Sequence, residues 1–177
     1  RRVNILLTRP DKDSYRLAEF LDKKKFKFFV TPLIKISKIY YSFDKNKHYD
    51  FLIFTSKNGL SNFQILKKNS KIIVIGDGTY ALAKELGYKK LINVKGNSED
   101  LKEKIRPILR KNMRIIHPTS NQLNQDLKDF FKDQGCFYQS IACYKATMIN
   151  TESEIFENFF NSCKDGLITL FSRRTAI

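Results

Sequence analysis

The sequence predicts an α/β fold in which parallel sheets are covered on both faces by helices. Three observations carry that prediction. Apolar runs of strand length alternate with segments of helical period through most of the chain, those runs are continuously apolar, and one strand–helix unit recurs after a shift of 110 residues.

The elements follow in order. Val3–Leu7 reads as a buried strand, and Tyr15–Lys25 as a helix with Leu17, Phe20 and Leu21 at helical spacing. Its closing run, Lys23-Lys24-Lys25, suits the negative end of the helix dipole and is a solvated face. Pro32–Tyr41 is extended and lacks the helical period. Strands are expected at Phe51–Phe54, Ile72–Ile75, Leu91–Val94, Arg114–Ile116 and Phe137–Ile141, and helices at Leu60–Lys67, Tyr80–Leu86, Glu99–Leu109 and Leu123–Phe131. Gly87 and Gly135 stand where left-handed helix stops are needed, and Ser98, before Glu99-Asp100, reads as an N-cap. Ala142–Ile149 is again extended.

The repeat organises the domains. Ile5-Leu6-Leu7 falls on Ile115-Ile116-His117, Leu17 on Leu127, Leu21 on Phe131 and Phe26 on Cys136; at an offset of 116, Leu52–Ser56 falls on Ile168–Ser172. We therefore expect a discontinuous first domain (1–33 and 150–177), a second domain (42–141), and two extended connectors (34–41 and 142–149) crossing between them. Only five residues follow Ser172, so the first domain is expected to be incomplete, its C-terminal remainder lying beyond the given chain.

Composition bounds the partner. The chain has 177 residues with a net charge of +15, and its cations are scattered. Nucleic acid, a polyanionic small substrate and a lysine-rich surface all account for such a charge, which narrows the partner to something anionic. Cys136, Cys143 and Cys163 form neither a CxxC pair nor an even framework, and His48 and His117 are too few and too far apart to suggest a metal site. No apolar run approaches the roughly 20 residues of a membrane span and no signal-peptide core opens the chain. A cytoplasmic monomer with no membrane partner is expected.

In open parallel sheets ligands bind beyond the carboxyl ends of the strands, where helix N-termini present unpaired N–H groups. The polar clusters sit at such ends: Thr8-Arg9-Pro10, Thr55-Ser56-Lys57-Asn58, Gly76-Asp77-Gly78-Thr79, Pro118-Thr119-Ser120-Asn121 and Ser172-Arg173-Arg174. Each has an ordinary structural reading. Ser56 and Ser172 serve as N-caps, Arg9 as a surface charge, Asn58 and Thr119 as turn residues, His117 as a structural strand-end residue, and Tyr144 as an aromatic packed on a connector. Gly76 is a close-approach turn, and Thr79 caps the next helix or binds a carboxylate. Gly76-Asp77-Gly78 lacks the third glycine of a dinucleotide fingerprint. No Ser/His/Asp set, carboxylate pair or metal cluster emerges, so the corners point to anion binding through amides and hydroxyls.

Taken in order, "ILLTRP" (5–10), "DFLIFTSKNGL" (50–60), "VIGDGTYALAKELGY" (74–88), "HPTSNQLNQDL" (117–127), "ACYKAT" (142–147) and "LITLFSRR" (167–174) resemble the uroporphyrinogen-III synthase family of haem biosynthesis. The resemblance implies two flavodoxin-like α/β/α domains joined by a two-stranded β connector, with no metal and no organic cofactor. "HPTSN" departs from the family's Arg-Gly phrase, which bears on the anion-binding role of that corner.

The implied reaction is cyclisation of hydroxymethylbilane, a linear tetrapyrrole with eight carboxylates. Loss of the terminal hydroxyl gives an azafulvene cation, attack by the substituted carbon of ring D gives a spiro intermediate, and reclosure inverts that ring with net loss of water. Tyr144 and Thr79 match the family's catalytic positions, Tyr144 as a weak general acid. Arg9, Ser56, Asn58 and Ser172 match cleft-lining positions, and Thr55, Gly76 and Thr119 belong to the same corners as substrate-binding candidates. Two rivals remain: a nucleic-acid-binding module, favoured by charge but lacking a recognition motif, and a two-domain ligand sensor without chemistry.

Overall fold

The computed structural model describes residues 3–9, 11–64, 70–122, 124–149, 153–162 and 165–170. Along the chain run β1 (Asn4–Leu7), α1 (Asp11–Lys23), β2 (Phe28–Val30), β3 (Ile34–Lys38), β4 (Phe51–Phe54), α2 (Lys57–Asn62), β5 (Lys71–Ile75) and α3 (Asp77–Glu85). Then follow β6 (Lys90–Val94), α4 (Ser98–Ile105), a 3-10 turn (Arg106–Ile108), β7 (Arg114–Ser120), α5 (Gln125–Asp133), β8 (Phe137–Met148), α6 (Ser153–Ser162) and β9 (Gly166–Thr169). The chain divides into two compact units, Arg1–Ser37 with Ala146–Ile177, and Lys38–Lys145.

The second unit carries the strands β8-β7-β4-β5-β6, all parallel; β3, of which only Lys38 falls in this unit, follows β8 in the strand order. Every residue of β4 is buried, which is why the strand is apolar throughout. Phe51 and Ile53 join a core with Ile73, Val94, Leu101, Ile105, Ile115, Leu127, Phe130 and Phe131. Leu52 and Phe54 alternate to the other face, where the Phe54 ring lies 6.2 Å from that of Phe63 at the end of α2. Burying each such side chain contributes roughly 1.5–3 kcal/mol, so β4 is anchored from both sides.

In the first unit β1 lies between β2 and β9, both parallel to it. Its core is Ile5, Leu7, Ala18 and Leu21. Phe20, grouped in sequence with Leu17 and Leu21, is instead exposed. The buried face of α1 runs through Ser14, Ala18 and Leu21, and at 3.6 residues per turn Phe20 sits about 130° round the helix from its centre.

The repeat preserves strand register. In one unit Ile115 pairs with Phe51 and Ile116 with Leu52; in the other Ile5 pairs with Leu167 and Leu6 with Ile168. Shifting the first partners by 110 and the second by 116 converts one ladder into the other. Each unit therefore reuses the same parallel strand pair.

Other expectations shift locally. Asn97, one residue before Ser98, is the N-cap of α4: its side chain accepts from Glu99 N–H at 2.7 Å and Asp100 returns a 2.7 Å bond from the Asn97 N–H. Pro107 lacks an N–H and ends that helix, so the turn after Ile105 is 3-10 and does not continue as α to Leu109. Gly87 and Gly135 do hold positive φ, 83° and 71°, at the stops of α3 and α5. The strand expected at Phe137–Ile141 continues unbroken to Met148. Its later part pairs antiparallel with the β3 segment, through Ile39 N–H to Cys143 C=O at 3.0 Å in one unit and Ile149 N–H to Leu33 C=O at 3.0 Å in the other.

Helix α2 packs directly on β7 through Gly59, where an added Cβ would stand 2.6 Å from the Pro118 carbonyl oxygen. In an exposed helix Gly→Ala stabilises by up to about 1 kcal/mol. Here the sign reverses: Gly59→Ala is expected to lower stability by about 1–3 kcal/mol, read as a fall in the urea midpoint at unchanged slope.

Candidate active site

The chain reverses direction across the sheet at β4. From it β5 and β6 run one way, while β7 and β8 lie on the other side. In a doubly wound sheet the crevice at the carboxyl ends of such a strand pair is where ligands sit. The residues just past β4 are Thr55 and Ser56, and those of β7 and β8 at the same end are Thr119, Ser120 and Tyr144.

Ser56 has extended backbone, φ −155° and ψ 155°, and caps α2 by accepting the Gly59 N–H at 3.1 Å. The same oxygen lies 3.0 Å from the Tyr144 hydroxyl. Tyr144 is buried, on β8 just where the pairing with β7 slips by one residue between Thr119 and Ser120. Such an irregularity re-aims side chains at a strand end. The readings of Ser56 as a cap and Tyr144 as a packed aromatic are both correct in part, and together they form one contact.

Thr55 makes the second contact. Its Oγ1 lies 3.1 Å from His117 Nε2, and His117 Nδ1 lies 2.6 Å from the Tyr138 hydroxyl. His117 is not a strand-end residue: it sits inside β7 with no exposed surface. Burial pushes its pKa down to about 4, so the ring is neutral near pH 7, and burial likewise raises that of Tyr138. Sequence reasoning missed this triplet as a unit, although the repeat had already placed His117 where the other copy has the fully buried Leu7.

Around the next corner, Gly76 adopts φ 84° and starts α3 without a side-chain cap. Thr79 therefore does not cap this helix; it lies buried in its first turn. Lys57 reaches the same turn, its Cε 2.7 Å and Nζ 3.3 Å from where a Cβ on Gly78 would be. A cation and the amide end of a nine-residue helix thus converge, a combination that suits an anion. Asn58 is within α2, its carbonyl accepting from Asn62 at 2.9 Å, and Thr119 is within β7, its carbonyl accepting the Cys143 thiol at 3.6 Å. Neither is a turn residue.

Arg9 belongs to the other unit, at the end of β1, where its carbonyl accepts the Ser14 hydroxyl at 2.9 Å. Ser172 and Cys163 lie outside the described residues. Burial raises the Cys143 thiol to about 11, which keeps it protonated and unsuited to nucleophilic work. Among the described residues no group of three or more His, Cys, Asp or Glu could hold a metal ion, and no helix is long and apolar enough to cross a membrane. A separate cavity of about 400 Å³ opens at the opposite, amino ends of β4, β5 and β6, lined by Phe43, Tyr49, Phe63, Lys71 and Lys90 among others.

The strand-end rim lies where open α/β domains bind their ligands, and it is furnished with hydroxyls, amides and a phenol. Residues 15–176 match the family model described as uroporphyrinogen-III synthase HemD, and the chain belongs to that family of cyclising lyases of tetrapyrrole biosynthesis. The fold is similar to that of uroporphyrinogen-III synthetase from Helicobacter pylori, with a TM-score of 0.58 and 15% identity over 90% of this chain and 68% of that one. It is also similar to a mutant uroporphyrinogen III synthase from the extremely thermophilic bacterium Thermus thermophilus, with a TM-score of 0.56 and 12% identity over 90% of this chain and 69% of that one. No curated protein matches the sequence.

The buried imidazole makes stability depend on pH. An unfolded imidazole takes up a proton near 6.5, the folded one only near 4, so between these values the unfolded chain binds more protons. Stability is therefore expected to fall by about 3 kcal/mol as pH drops from 6.5 to 4, levelling below that. Urea titrations across this range check it: His117→Gln should remove that part of the slope.

Proposed function

We propose that this chain binds hydroxymethylbilane at the strand ends of its second unit and closes it with inversion of ring D, Tyr144 assisting departure of the terminal hydroxyl. The observation that carries this reading is the 3.0 Å contact between Ser56 and Tyr144, at the sheet edge where ligands of such folds bind. Ser56 already accepts the Gly59 N–H, so its own proton is free to be donated to the Tyr144 oxygen. That arrangement leaves the phenol proton pointing elsewhere and steadies the charge that develops on the oxygen as the proton leaves.

The steps balance. The terminal C–O bond breaks, the hydroxyl leaves as water with the Tyr144 proton, and an azafulvene cation remains. Attack by ring D, fragmentation and reclosure follow, and the proton released as the last pyrrole regains aromaticity restores Tyr144. Left alone, the bilane closes without inversion, so the protein's task is to hold one folded conformer and favour charge separation. The Lys57 ammonium, the first turn of α3 with Gly76 and Thr79, and the hydroxyls of Thr55 and Thr119 supply donors for the substrate's eight carboxylates. Asn58 adds a further amide, while Arg9 and Ser172, which belong to the other unit, enter as substrate contacts through the family resemblance. A net charge of +15 favours capture of such a polyanion over distance.

Isomer analysis of the trapped and oxidised product checks the reading: the type III isomer is expected in excess of the enzyme-free control, and type I alone contradicts it. Tyr144→Phe should lower kcat about 100-fold, the low end of what loss of a general acid costs, with the fold intact. Ser56→Ala should lower kcat and also cost about 1 kcal/mol of stability through the lost cap, whereas an unchanged kcat removes Ser56 from the mechanism.

A further inference from the structure

We propose that His117 is a positioning residue that sets the direction of the Thr55 hydroxyl: Tyr138 O–H donates to Nδ1, Nε2–H donates to Thr55 Oγ1, and the Thr55 proton is turned outward to meet a substrate carboxylate. This rests on the reading that substrate binds at these strand ends. The three groups form an unbroken row, 2.6 Å from Tyr138 to His117 and 3.1 Å from His117 to Thr55. The His117–Thr55 contact bridges β7 and the end of β4, the strand pair at which the chain order reverses.

A neutral imidazole has one donor and one acceptor nitrogen, so the row runs in one of two directions. A phenol is a better donor than an imidazole N–H, and an imidazole nitrogen a better acceptor than a phenol oxygen. Tyr138 therefore donates, and the tautomer with hydrogen on Nε2 follows. In the reverse direction Thr55 would commit its proton to Nε2 and offer the rim only lone pairs, which repel a carboxylate. The direction of the row thus decides whether Thr55 can bind an anion.

The fold itself does not need this polarity. At the repeat-equivalent position the first unit has Leu7, fully buried, and the residue equivalent to Thr55 is Phe171. Burying a histidine where leucine serves costs desolvation, which its two hydrogen bonds offset. Its neutral state persists near pH 7 because burial disfavours the charged ring. Neither Tyr138 nor His117 touches the rim surface directly in the way Thr55 does, so both act through the hydroxyl.

Long-range nitrogen–proton NMR on the uniformly labelled wild-type protein at neutral pH reads the tautomer directly, with His48 the only other histidine in the sequence. Hydrogen on Nε2 of His117 is expected; hydrogen on Nδ1 overturns the proposal. In kinetics, Tyr138→Phe releases the imidazole and should raise KM about tenfold with kcat little changed, as expected for a lost bond to a charged group. Thr55→Val should do the same, and Thr55→Ser should restore most of the loss. In the Thr55→Val background Tyr138→Phe should add nothing; a further rise in KM, or an unchanged KM in Thr55→Val alone, overturns the proposal. Should the wild type fail to make the type III isomer while the tautomer is as expected, the substrate reading fails and the hydrogen-bond direction stands.

Discussion

Strand β4 is hydrogen-bonded to β5 on one edge and to β7 on the other, and it is apolar on both faces. That double pairing fixes everything built at its carboxyl end. Because the strand order reverses at β4, the residues that follow β4 and β7 lie at the edge where doubly wound sheets bind ligands. Thr55, Ser56 and Tyr144 are placed there by backbone pairing, and each is held by a named partner. The close approach of α2 through Gly59 tightens the same corner, since Gly59 both supplies the N–H that Ser56 caps and allows the helix to lie on Pro118.

A site of this kind differs from one built round a nucleophile. Its polar atoms are hydroxyls and amides, each held beside a named neighbour. Ser56 accepts from Gly59 and has one proton to give; Thr55 has His117 Nε2 3.1 Å behind it. For a family whose chemistry depends on folding a polycarboxylate chain and separating charge, donors held in fixed directions do more than reactive groups. The Cys143 thiol, pushed up to about 11 by burial, is consistent with that division of labour.

Much of this was legible in the sequence because its causes are local. Runs such as Phe51–Phe54 and Ile72–Ile75 announced buried strands, since only a strand covered on both faces is apolar at every position. The repeat matched one strand–helix unit to another, and in the structure the two ladders share a register at Ile5–Leu167 and Ile115–Phe51. Choices between neighbours were not legible. Asn97 and Ser98 are both good caps, and only the reciprocal bond from Asp100 selects Asn97. Phe20 matched a helical period, yet its burial depended on where the centre of the packed face fell. The pairings Ser56–Tyr144 and Thr55–His117 join residues 88 and 62 positions apart, a separation that no local pattern encodes. The substitution of His117 for a repeat leucine was visible, and it was the one available sign of that contact.

Under the proposed function the tetrapyrrole is received at the carboxyl-end rim of the second unit and not in the cationic cavity at the amino ends of β4–β6. Backbone amide shifts on titration with an unreactive bilane lacking the hydroxymethyl group test it most directly. Perturbation concentrated at Thr55–Asn58, Gly76–Thr79 and Tyr144 is expected. Perturbation concentrated at Tyr49, Asp50, Lys71 and Lys90, with the rim silent, would contradict it.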